Sequence, residues 1–232
     1  MRKMLFKRFD DDVGAIGIGA MIVFIAMILV AGIAASVLVQ TSNTVQIQAQ
    51  QTGQQTTREV ASGVSVFEIA GQVNVSGSTY YDLEYIAITV KPRPGSPDID
   101  LNNTYILVSD GVKKALLRYD FANRSNVFKS SLSGDLFGSL TEAQWNLTNN
   151  EHFGLGVLQD YDHSIKDTNP VINRGDKAVF FMRCNTNGSG LFTRNIPERT
   201  DIFGRVVPEV GAPGVISFTS PMSYVDTIYK LQ

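Results

Sequence analysis

The sequence predicts an α+β chain: a long N-terminal hydrophobic α-helix followed by an antiparallel β-sandwich or barrel. Three observations predict it. No charged residue stands between Asp12 and Arg58. From Ala15 to Val39 only Ser36 carries a side chain with a hydrogen-bonding group. Beyond residue 62 the pattern breaks into short runs rich in Val, Ile, Phe and Tyr, punctuated by Gly, Pro, Asn and Asp.

The helix comes first. Its apolar part reaches membrane-span length, since roughly 20 apolar residues cross a hydrocarbon layer. Arg2, Lys3, Lys7 and Arg8 precede it as a positive n-region, which a secretory signal peptide shares. An ordinary signal core is only about 7 to 15 residues long and ends in a small-residue cleavage site, which this run exceeds. A plain membrane anchor fits the length, with the basic residues held on the cytoplasmic side. The anchor leaves "QTSNTVQIQAQQTGQQTT" (residues 40–57) unexplained. That stretch is uncharged and Gln-rich, and it prolongs the helix rather than ending it. A helix from Ala15 to Thr57 would be on the order of 65 Å long, about twice the apolar thickness of a bilayer. Half of it stands outside any membrane.

The apolar half has no polar stripe, so it expects apolar neighbours on every side. Small residues stud it from Gly17 to Ser36, with Gly32 and Ser36 four apart on one face. Such spacing lets helix backbones approach closely where lipid and protein are equally apolar, although small residues are common in any membrane helix.

The strand candidates follow in order: "VSVFEIAGQVNV", "YDLEYIAITVKP", "TYILVSDG", "KALLRYDF", "GLGVLQ", "DKAVFFMRC", "GVISFTS" and "DTIYKLQ". Many short strands at such spacing imply a sandwich or barrel. Within "SLTEAQWNLTNNEHF" a short helical excursion is expected, with Thr141 as its N-cap and Trp145 as a packing anchor. Cys184, the single cysteine, reads as a small core residue and forms no internal disulfide.

Composition narrows the function classes. A formal net charge of -2 over 232 residues gives no basic field for gripping phosphates, so no nucleic-acid partner is expected. The chain holds no P-loop, no Gly-x-Ser-x-Gly elbow and no His-Glu-x-x-His. The glycines of "GAIGIGAMIV" lie inside the apolar run, not in a strand-to-helix turn, so they form no dinucleotide fingerprint. No pair of carboxylates has a spacing that argues for acid and base, and no enzyme is expected. No cofactor is called for either. Asp160, Asp162 and His163 form one candidate metal set, with a structural calcium as the ion, although Asp-x-Asp is commonest in solvated turns. Five Asn-x-Ser/Thr sequons occur, at Asn74, Asn102, Asn123, Asn146 and Asn187.

"VGAIGIGAMIVFIAMILVAGIAASVLVQTS" resembles the N-terminus of archaellins, the archaeal flagellins, which are related in this segment to type IV pilins. "TTREVASGVSVFEIAG", "GSPDIDLNNTYILVSDG", "FGLGVLQDYDHSIKDTNPVINRGDKAVFFM" and "VPEVGAPGVISFTSP" extend the resemblance through the chain. It implies three parts: a class III signal peptide over 1–14, a filament-core helix over 15–62 and an outer immunoglobulin-like β-sandwich over 63–232. A prepilin-type signal peptidase would cut between Gly14 and Ala15. The acid-rich "FDDDV" departs from family leaders, which more often place basic residues next to that Gly. The cut removes four bases and three acids, taking the formal charge from -2 to -3, and it strips the positive anchor from the helix. Ile18, Ile22, Ile25, Leu29, Gly32 and Ser36 would then line the core of a homopolymer, into which other archaellins could also enter.

The implied function is a subunit of the archaeal flagellum, giving swimming motility. Its implied partners are a transient membrane and an ATP-driven assembly platform, and its implied place is an extracellular filament drawn from a precursor in the cytoplasmic membrane. Glycans at some of the sequons are implied as well. An adhesive type IV-like pilin is the rival reading, as is a single-span anchor carrying a binding domain.

Overall fold

The computed structural model describes residues 2–77, 79–132, 134–185 and 190–232, with the side chains of 2–13 and of Ala15 outside the description. The chain divides into two compact units, residues 1–55 and 56–232.

Helix α1 runs from Arg2 to Ala61. At 1.5 Å per residue its 60 residues span about 90 Å. It begins ahead of Ala15, because nothing between Arg2 and Gly14 breaks a helix: that stretch contains no proline. Thr41 and Thr44 return their hydroxyls to carbonyls three or four residues back, at 2.9 to 3.0 Å, and so stay compatible with the helix. The helix ends where Ser62 donates its N–H to the Arg58 carbonyl at 2.8 Å and Gly63 takes φ +146°. Only glycine fits there: a Cβ on Gly63 would lie 2.3 Å from the Ala212 carbonyl oxygen.

The second unit is strand-rich. Its strands are β1 (Val64–Ser76), β2 (Thr79–Pro92), β3 (Ile99–Asp100), β4 (Tyr105–Ser109), β5 (Lys114–Tyr119), β6 (Phe128–Lys129), β7 (His152–Gln159), β8 (Val171–Ile172), β9 (Lys177–Arg183), β10 (Asp201–Val207), β11 (Gly214–Thr219) and β12 (Ile228–Lys230). Short helices α2 (Arg124–Val127) and α3 (Glu142–Trp145) interrupt them. The main sheet runs β11-β10-β4-β5-β7-β9-β2-β1-β12, with β6 attached to β7, while β3 and β8 pair separately.

All of these pairings are antiparallel except two. β5 and β6 both run parallel to β7, a departure from the antiparallel expectation. The β5–β7 seam is only two residue pairs long, Arg118 with His152 and Tyr119 with Phe153. So short a ladder lets the sheet curl. Ile88, Phe153 and Phe180 from one half then share a core with Ile106, Leu117, Ile202 and Ile216 from the other. Cys184 is fully buried in the same core, and burial pushes its thiol pKa well up. The sandwich is thus one continuous curled sheet whose two halves face each other.

Strand β10 lies outside the eight runs expected from the sequence. It sits between β4 and β11, and its alternation is broken at an inward position by Gly204. A Cβ there would lie 2.2 Å from the Leu107 carbonyl oxygen, so the close approach of β4 requires the gap.

The other face of β2 and β9 is covered by a smaller cluster. Phe137, Leu140 and Trp145 pack on Ala87, Val179 and Phe181. The Trp145 ring lies 4.3 Å from that of Tyr85 and 5.6 Å from that of Phe181, which makes it the packing anchor expected. Thr141 is the N-cap of α3, and its backbone N–H donates to Gln144 Oε1 at 3.0 Å.

Candidate functional site

The feature that asks for a function is α1 itself. Ile18, Ile22, Ile25 and Leu29 are 66, 62, 52 and 62 % exposed, although an isoleucine or leucine loses about 1.5 to 3 kcal/mol by staying in water. Gly32 and Ser36 are exposed beside them, and Gly32 has no neighbour within 4 Å of where a Cβ would stand. The Ile16–Ala61 stretch is long and apolar enough to cross a membrane, and none of its most apolar window is buried within the chain. Gly14, the residue before the expected cut, lies in helical backbone and is exposed. Of its partner Ala15 only the backbone is described.

The sequons occupy four described places. Asn74 is exposed near the tip of the β1–β2 hairpin and donates from Nδ2 to Glu84 Oε2 at 2.8 Å. Asn102 follows β3, and its backbone N–H donates to Asp100 Oδ1 at 2.8 Å. Asn123 caps α2 and donates from Nδ2 to Asp120 Oδ2 at 2.8 Å. Burial alone would raise the Asp120 carboxyl, but the hydrogen bonds from Asn123 outweigh it and hold that pKa below the usual value. Asn146, at the end of α3, accepts at Oδ1 from Arg183 Nη1 at 2.7 Å. Asn187 lies outside the described residues.

Asn74 and Asn146 meet at one buried ion pair. Arg183 is 5 % exposed, and its Nη2 lies 3.0 Å from Glu84 Oε1 and 3.2 Å from Glu142 Oε1. Its guanidinium sits 5.3 Å from the centre of the Tyr85 ring. Its Nε is buried with no partner, so the pair already carries one unmet donor.

The expected metal residues are only partly brought together. Asp160 and Asp162 converge with Asp176, their carboxylate oxygens all within 4.8 Å of one another. His163 lies outside this group of three and lines a cleft with Phe128, Leu158 and Lys166. Ser164 knits the group: its N–H donates to Asp160 and Asp162, and its Oγ donates to Asp176 Oδ2 at 3.1 Å. Burial pushes the Asp176 carboxyl up, against hydrogen bonds from Asn173 and Ser164, and its two acidic neighbours add to the rise. The hydrogen bond from Asn173 Nδ2 holds Asp162 low. Asp176 was not read from the sequence. The signal that finds it is the Asn173-Arg174-Gly175-Asp176 turn, in which Asp176 Oδ2 accepts the Asn173 N–H at 2.9 Å.

A long apolar helix exposed from Ile16 to Val60, joined to a β-domain with its own core, is the architecture of a protein whose helix must be covered by lipid or by other chains. Comparison with known proteins places it more closely. The archaeal-type flagellin family model matches residues 14–218. Flagellin B2 of Methanocaldococcus jannaschii is 44% identical over 228 residues, 98% of each chain. Flagellin B3 of Thermococcus kodakarensis is 38% identical over 257 residues, covering 97% of this chain and all of that one. The crystal structure of archaeal flagellin FlaB1 from Methanocaldococcus jannaschii superposes with a TM-score of 0.60 at 31% identity, over 74% of this chain and 98% of that one. A chain of the Methanospirillum hungatei archaeal flagellum shares the fold at 15% identity, with a TM-score of 0.55 over 93% of this chain and 98% of that one.

The chain therefore belongs to the archaeal-type flagellin family. It is a structural subunit of the archaeal flagellum and not an enzyme.

Proposed function

We propose that the subunit polymerises through α1 after removal of residues 1–14, with the helices as the filament's dry centre and the β-domain as its exterior. The observation that supports this is the uncovered apolar surface from Ile16 to Val39. In lipid this surface is already sheltered, so passage into a filament gains little hydrophobic free energy, and close packing at Gly32, Ser36 and their neighbours tips the balance. Releasing an assembled subunit into water would expose about two dozen apolar residues, at a cost on the order of tens of kcal/mol. Subunits thus enter at the base, out of the cytoplasmic membrane, and the filament stands outside the cell. A prepilin-type signal peptidase makes the cut, and an assembly platform drives extrusion and rotation. Sugars at some sequons make the exterior more soluble.

The test is Ile25→Asp or Leu29→Asp, scored by electron microscopy of cells. A charge in a dry core is too costly to bury, so filaments should be lost. Normal filaments on either variant would overturn the proposal.

The carboxylate group supports a second, smaller proposal. Asp160, Asp162 and Asp176 offer oxygen ligands only, a donor set suited to a hard divalent cation such as calcium, which would tie the loop after β7 to the turn before β9.

A further inference from the structure

The four described sequons differ in a way that bears on when each can be modified. A sequon is defined by two side chains: the asparagine that receives the sugar, and the hydroxyl two residues on, which the transferase must reach to recognise the motif. The fold treats these hydroxyls in opposite ways.

At Asn102 and Asn146 the partner hydroxyl is inside the protein. Thr104 is 1 % exposed, and its Oγ1 donates to the Asp100 carbonyl at 3.0 Å. Thr148 is 1 % exposed, and its Oγ1 donates to the Trp145 carbonyl at 2.7 Å. The methyl of Thr148 also lies 3.1 Å from where a Cβ on Gly154 would stand, so it is packed against the strand beneath it. Reaching either hydroxyl means pulling the loop off the core. At Asn74 and Asn123 the partner residues, Ser76 and Ser125, are both exposed, as are the asparagines themselves. Ser76 ends β1 at the hairpin tip, opposite Thr79, and Ser125 lies in the single turn of α2.

We infer that folding divides the sequons into two sets: Asn74 and Asn123 accept a sugar on the folded subunit, whereas Asn102 and Asn146 accept one only before the β-domain closes. This rests on the proposal that the filament is glycosylated. The donor class is a sugar phosphate on a lipid carrier. The Nδ2–C1 bond forms, the C1–O bond to phosphate breaks, one Nδ2 proton passes to a base of the transferase, and the phosphate leaves on its carrier. At Asn74 and Asn123 the modified amide keeps one N–H, enough to go on donating to Glu84 or Asp120.

The experiment uses the full-length chain purified in detergent from cells lacking the transferase, incubated with membranes that hold the transferase and its lipid-linked donor. Synthetic peptides spanning residues 71–79, 99–107, 120–128 and 143–151 are incubated in parallel, and occupancy is mapped by peptide mass spectrometry. The peptides should be modified whichever sequon they carry. The folded chain should carry sugar at Asn74, Asn123 or both, with occupancy at Asn102 and Asn146 at least tenfold below that of the matching peptides. Asn102 or Asn146 modified on the folded chain as fully as in peptides would overturn the inference. So would a folded chain left bare at all four while its peptides are modified. If neither peptides nor chain take up sugar, the glycosylation proposal fails and this inference fails with it.

Discussion

At the scale of single residues, the buried arginine is the most demanding group in the β-domain. Arg183 neutralises Glu84 inside the sheet while also holding Asn146. Arg183→Met would leave the buried Glu84 without a positive partner, and breaking a buried pair costs about 3 to 5 kcal/mol. Thermal unfolding should show that loss, and adding Glu84→Gln to the same variant should restore part of it. A double variant no better than the single would mean that the pair contributes through packing alone.

The carboxylate group behaves oppositely. Because the folded pKa of Asp176 is raised, the fold prefers its protonated form, so this group adds stability as pH falls from neutral through its folded pKa. Asp120 and Asp162, held low, subtract stability further down. A bound cation would do at neutral pH what the proton does in acid. Calcium at millimolar concentration should raise the melting temperature of the wild type and leave that of Asp176→Asn unmoved. An equal response in both would place the ion elsewhere. Asp176 is hidden in the sequence because it stands well away from Asp162 along the chain, and it takes the pairing of β7 with β9 and the hydrogen bonds of Ser164 and Asn173 to join them. His163 stands directly beside Asp162 in the chain, so the local pattern points to it instead.

At the scale of elements, the long helix is legible from Ala15 onward, while its continuation back to Arg2 is not. Its signal is the missing charge between Asp12 and Arg58, which needs no tertiary information. The hairpin strands were legible for the same local reason: alternation and turn residues announce them. Strand β10 was not, because Gly204 empties an inward position and Asp201 and Arg205 flank it with charge. The two parallel pairings with β7 were also beyond reach. They depend on chain crossings that no local pattern encodes. Since no apolar side chain of the α1 segment from Ile16 to Val39 is buried in its own chain, Ile25→Asp should leave the melting of the β-domain unchanged while abolishing filaments. Calorimetry on the detergent-solubilised variant checks this. A lowered melting temperature would assign the residue a role in folding.

At the scale of the whole molecule, the two units divide the work. The β-domain closes its own core around Phe153 and Phe180, with partner strands from both halves. The helix keeps its apolar side chains from Ile16 to Val39 exposed. A filament held by that surface should ignore dilution yet dissolve in detergent, which replaces neighbouring helices with an equally apolar solvent. Sedimentation before and after each treatment measures it. Disassembly on dilution alone would mean that the outer domains hold the polymer.

Behind the amino group that the cut would create at Ala15, no side chain of α1 as far as Thr57 titrates or carries a charge that counterions can screen. A cable made of such rods would be indifferent at its centre to brine or acidity. Salt and pH would then reach such a filament mainly through its sleeve.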